Sequence, residues 1–145
     1  MTELDESITA THVTSQELLQ AVKGFLAETV TPALNDRDQF NARVAANVSG
    51  IVQREQALGP RLSALDHAAF SKWIPDGAPD DDVVPQISQA LAKRRIKPDA
   101  AFLDYLKQRQ LLLSAINNPR YPNRVVAAEK WRYLTTDIDP VADTR

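Results

Sequence analysis

Apolar positions recur at three- and four-residue steps in five successive stretches of this chain, with polar residues filling the intervals between them. The longest is Phe40–Pro60, FNARVAANVSGIVQREQALGP. At about 100° per residue, Phe40, Val44, Val48, Ile51, Val52 and Leu58 fall on one side of a helix. This predicts an element packed against several partners and ended by Gly59-Pro60. Upstream, Leu18, Leu19, Val22, Phe25, Leu26 and Val30 predict a first helix with Ser15 as its N-cap and Pro32 as its stop. The short connection Ala33–Arg37 predicts that these two helices form a hairpin. Downstream, Leu62, Leu65, Ala69, Phe70 and Trp73 predict a third helix with Pro60 in its first turn. Val83, Val84, Ile87 and Leu91 predict a fourth, with acids before it and bases after it in the sense that complements a helix dipole. Phe102, Leu106, Leu113 and Ile116 predict a fifth, ended by Asn117-Asn118-Pro119. No stretch carries a convincing strand pattern.

The expected fold is therefore all-α: a single-domain antiparallel helical bundle of four main helices plus a shorter one, with extended termini. Residues 1–14 read as a flexible leader, 15–122 as the bundle and 123–145 as a C-terminal arm. The arm's Val125, Val126, Trp131, Tyr133 and Leu134 suit it to docking on another surface.

Composition narrows the class. A chain of 145 residues fits one domain and, at about 70% of its unfolded surface buried, needs no covalent staple. With 43% hydrophobic residues, 25% charged and a formal charge of −2, it reads as an ordinary globular protein, which argues against a nucleic-acid partner. The absence of cysteine excludes disulfides, thiolate nucleophiles and cysteine metal sites. The acidic start, MTELDESITATH, has neither the apolar core of a secretory signal nor the basic character of a transit peptide. No apolar run approaches a membrane span, so the expected location is the cytoplasm.

Candidate chemistry is sparse. Arg43, Asn47, Gly50 and Arg54 form a polar stripe beside the apolar face of the second helix, and the Arg43, Asn47 and Arg54 side chains are candidates for binding a ligand or a partner. Arg43 and Arg54 are separated by roughly 16 Å along the axis, too far for one phosphate. The reading preferred for them is structural hydrogen bonding to neighbouring helices, with ligand or partner binding as the alternative. Glu55 lies within the apolar sector of the second helix and Arg109 within that of the fifth. A lone buried charge is costly, so the two are candidates for a structural ion pair, the alternative being that each reaches solvent at the edge of its stripe. Asp66-His67 lacks the convergent ligands of a metal site. Asp76 and Asp80–Asp82 lack the spacing and central glycine of a calcium loop and read as a solvated, helix-capping segment. Lys93, Arg94, Arg95 and Lys97 suit a helix C-terminus. No metal site, cofactor or catalytic residue is expected.

Three segments, LLQAVKGFLAETVTPAL, FNARVAANVSGIVQRE followed by Gly-Pro, and AINNPRY, resemble a bacterial family of small helical domains of uncharacterised function, over about residues 15–121. The resemblance implies genes beside phosphotransferase-like kinases of the aminoglycoside type and acyl-CoA dehydrogenases, and an accessory role near acyl catabolism. The expected function is a non-enzymatic accessory or protein-interaction subunit, with such a kinase or dehydrogenase as partner. The alternative is a small-molecule binder or minor enzyme subunit that handles an acyl-CoA-like or phosphorylated ligand.

Overall fold

The computed structural model describes residues 13–131, and all of their regular structure is helical. Helix α1 spans Ser15–Gly24 and runs into a π-helical turn, Phe25–Val30, and a last α turn, Thr31–Ala33. Helix α2 spans Asp36–Trp73, α3 Val84–Ala92, α4 Ala100–Asn117 and α5 Pro122–Lys130. These residues fall into two compact units, one up to Gln53 and one from Arg54. Helix α2 has residues in both.

In the first unit, α1 begins one residue earlier than Ser15 suggests. Thr14 is the N-cap: its hydroxyl accepts from the Glu17 backbone N–H at 3.2 Å, and the Glu17 carboxylate accepts from the Thr14 N–H at 2.7 Å. That reciprocal box requires an acid three residues after the cap, which Thr14 has. Nor does Pro32 stop the helix directly. It cannot donate to the carbonyl four residues back and its ring crowds that carbonyl, so the preceding turn widens. Thr31 accordingly donates to Leu26 O through both its backbone N–H and its hydroxyl, the latter at 2.7 Å. The chain becomes extended only at Leu34.

Glutamine amides link α1 and α2 in this unit. Gln16 Nε2 donates to Gln53 O at 2.9 Å, and Gln53 Nε2 to Gln20 Oε1 at 3.1 Å. Ala42, Ala46, Gly50 and Gln53 are the buried positions of this part of α2. The apolar face expected to be packed is instead on the outside: Phe40 is 63% exposed, Val44 43%, Val48 50% and Val52 37%. Leu18 and Val22 on α1 and Phe25 in the π-helical turn are likewise exposed, and no residue of α1 is buried.

In the second unit the main correction concerns Gly59-Pro60. The predicted second and third helices are one, and Pro60 lies inside α2. A proline there removes one backbone donor and costs about 3 kcal/mol. Leu58, Leu62, Leu65, Asp66, Ala69, Phe70 and Trp73 remain in helical phase across it, so continuing the helix keeps one face on the core, and that burial offsets the cost. Ala69, Phe70, Val83, Ile87, Ala90, Ile96, Phe102 and Tyr105 form this core. Trp73 packs edge-on against Phe102, with ring centroids 5.1 Å apart. Gly77 follows α2 where a Cβ would come within 2.6 Å of the Phe70 ring and 2.7 Å of Ile74.

Helix α4 is rotated from the expected stripe. Tyr105, Leu111, Leu112 and Ala115 join Phe102 and Ile116 in the interior, whereas Leu106 is 41% exposed. The segment expected as an arm starts with α5, which buries Arg124 and Ala128 and leaves Val125 and Val126 exposed. Arg124 donates to Pro119 O through Nε and Nη2, which ties the start of the helix to the preceding turn. Tyr133, Leu134 and most of the expected leader lie outside the described residues.

Candidate functional site

Asp66 is the centre of the most polar part of the second unit's interior. It sits on the core face of α2, four residues after Leu62 and four before Phe70, so the helix carries a carboxylate into apolar surroundings. Its side chain is 8% exposed. Oδ1 accepts from Tyr105 Oη at 2.7 Å and from Arg109 Nε at 2.9 Å. Both donors come from α4, one turn apart. Burial raises the Tyr105 hydroxyl pKa well above the usual phenol range, and the hydrogen bond to Asp66 raises it further. The phenol therefore stays protonated and donates. Two directed donors make the buried carboxylate tolerable.

Arg109 thus finds a carboxylate, but not the expected one. Its partner is Asp66, and Glu55 is exposed. The wheel places Arg109 within the apolar stripe of α4. With α4 rotated, it lies at the edge of the buried face, where 24% of its side chain remains exposed. Glu55 and Arg109 do line the same cleft of about 480 Å³, whose walls include Leu62, Asp66, Val83 and Leu113.

The polar-stripe residues divide between the units. Arg43 and Asn47 are exposed in the first, where Arg43 Nη2 donates to Gln39 Oε1 at 3.2 Å on its own helix. Arg54 is buried in the second and its Nε donates to Ile116 O at 2.8 Å. That carbonyl is in the last turn of α4, where intrahelical donors run out. Asp82 Oδ1 accepts from the Val84 N–H at 3.0 Å at the start of α3. His67 Nδ1 lies 2.9 Å from Ser63 O, one turn back on α2. Among the described residues no cluster of three or more His, Cys, Asp or Glu side chains is arranged to hold a metal ion, and no helix is long and apolar enough to cross a membrane.

Among the described residues the structure is all-helical, with an outward-facing apolar stripe in the first unit and, in the second, a buried Asp66–Tyr105 pair joined by the partly exposed Arg109. Residues 32–121 match the family described as domain of unknown function DUF6285, and the chain belongs to that family. The matched span is narrower than the resemblance read from the sequence and leaves α1 and α5 outside it. No curated protein and no solved structure matches the chain.

Proposed function

We propose that the protein is an accessory, protein-interaction subunit of the cytoplasm whose docking element is the first unit. One observation carries this reading. In that unit Leu18 and Val22 on α1, Phe25 in the π-helical turn and Phe40, Val44, Val48 and Val52 on α2 are on the outside, while the buried positions of α2 are Ala42, Ala46, Gly50 and Gln53. Apolar stripes at helical spacing are the surfaces through which amphipathic helices join other helices. A phosphotransferase-like kinase or an acyl-CoA dehydrogenase is the partner that the sequence resemblance favours.

The same reading takes the helices as antiparallel. Arg54 reaches Ile116 while Asp66, twelve residues further on, reaches Tyr105 and Arg109, eleven and seven residues earlier. In the first unit Gln16 meets Gln53 and Thr31 meets Gln39.

The test compares affinity-tagged wild type with a Leu18→Asp/Phe25→Asp variant in the native host. Proteins that co-purify with the wild type should be absent from the variant, the variant should keep its melting temperature, and direct binding should be reproduced with the purified partner. Co-purification unchanged by the substitutions would end the assignment of this surface.

The small-molecule alternative draws its support from the cleft beside Arg109. Its volume of about 480 Å³ falls in the range of ligand pockets, and Leu62, Val83 and Leu113 supply an apolar wall. On this reading an acyl-CoA-like or phosphorylated ligand would protect the Leu113 region from hydrogen exchange, and Leu62→Trp would abolish that protection.

A further inference from the structure

Asp66 leaves one carboxylate oxygen unused. Its side chain is more than nine-tenths buried, and Tyr105 Oη and Arg109 Nε both donate to Oδ1. Those two bonds occupy the lone pairs of that oxygen. Oδ2 accepts no hydrogen bond among the described residues, and none of their side-chain oxygens is both sealed from solvent and unpartnered. Oδ2 is therefore accessible, and the space that Asp66 borders is the cleft of about 480 Å³ in the second unit. We propose that this cleft binds an organic cation, a primary ammonium group carried on an apolar body, with the ammonium donating to Asp66 Oδ2. The inference rests on the cleft of the small-molecule reading, reverses the charge of its ligand, and draws nothing from the first unit.

Charge and donor chemistry agree on this class. Among the described residues, Glu55, Asp66, Asp81 and Asp82 line the cleft against one guanidinium, Arg109, whose Nε is already bonded to Asp66. Glu55, Asp81 and Asp82 are exposed and have no salt bridge among the described residues, so their field acts on whatever enters. A phosphate would be repelled by three carboxylates and would find its only cation engaged, whereas an ammonium is attracted throughout. The acidic side chains do not converge on one point. No group of three or more among the described residues is arranged to hold a metal ion, which favours an organic cation over a divalent metal.

The lining also selects the kind of cation. No Trp, Tyr or Phe is among the described residues that line the cleft, so a quaternary ammonium would lack the aromatic faces that hold such groups. A primary ammonium has N–H donors, and a charge-assisted bond to a buried carboxylate oxygen is a strong one. Leu62 of α2, Val83 before α3 and Leu113 of α4 supply the apolar wall for the rest of the ligand. His67 lines the cleft as well, with Nδ1 against Ser63 O of its own helix.

NMR titrations of the isotopically labelled full chain test this at about pH 8, where imidazoles are neutral and primary amines protonated. The probes share one hydrocarbon: hexylammonium, hexyltrimethylammonium, hexanol and hexyl phosphate. Hexylammonium should shift the Asp66 carboxyl resonance and the amides of Leu62, Val83 and Leu113. The other three should bind about tenfold more weakly or not at all. Glu55→Gln/Asp81→Asn, two changes at exposed positions, should weaken hexylammonium about tenfold and leave the melting temperature unchanged. Hexyl phosphate binding as tightly as hexylammonium would overturn the cation and leave an anionic ligand in the cleft. Equal binding of hexyltrimethylammonium would overturn the bond to Asp66 Oδ2. No shift from any probe at millimolar concentration would overturn the site itself, and with it the small-molecule reading.

Discussion

Asp66 shows how one side chain can fix a contact between helices. Its carboxylate is buried, and the two groups that satisfy it, Tyr105 and Arg109, both project from α4. Replacing Arg109 by Met leaves the carboxylate with the phenol alone. The loss should be about 3 kcal/mol in urea unfolding, the low end for a buried pair because Arg109 is a quarter exposed. Tyr105→Phe should cost about 1–2 kcal/mol, since the salt bridge survives it. Tyr105 also predicts a pH dependence. Its folded pKa lies above its unfolded value near 10, so its stabilising contribution is complete below pH 10 and is lost as the pH rises beyond it. Stability above pH 10 should fall more steeply in the wild type than in Tyr105→Phe. The sequence placed Arg109 near the core because heptad spacing from Phe102 and Ile116 is visible in one dimension. It did not identify the partner, because Glu55 and Asp66 both fall in the apolar sector of α2, and only the rotation of α4 decides between them.

At the scale of elements, periodicity located the helices and local breakers misplaced their ends. Gly59-Pro60 has the composition of a turn, yet Leu58 and the residues from Leu62 to Trp73 stay in phase across it, a signal that was present and outweighed by the dipeptide. The structure predicts that Gly59 needs no special backbone: its φ is not positive, and an added Cβ would meet only Glu55 Cγ, at 3.9 Å. Gly59→Ala should therefore stabilise the protein by about 1 kcal/mol. Destabilisation instead would show that the helix turns there. Gly77→Ala should behave oppositely, because its Cβ would collide with Phe70 and Ile74, and melting curves of the two variants should shift in opposite directions. Which face of α2 is covered was not legible from the pattern. A wheel shows that Phe40, Val44, Val48 and Val52 share a side. It cannot show that Ala42, Ala46 and Gly50 are the buried positions.

For the whole molecule, the proposed function makes the apolar stripe Phe40–Val52 a surface for another protein rather than part of this chain's own core. Chemical denaturation of dilute Val48→Asp beside the wild type tests it most directly. Val48 is half exposed, so at concentrations where association is negligible the two unfolding free energies should agree within about 0.5 kcal/mol. A loss of 2 kcal/mol or more under those conditions, the scale expected for a charge placed in a packed interior, would contradict the account.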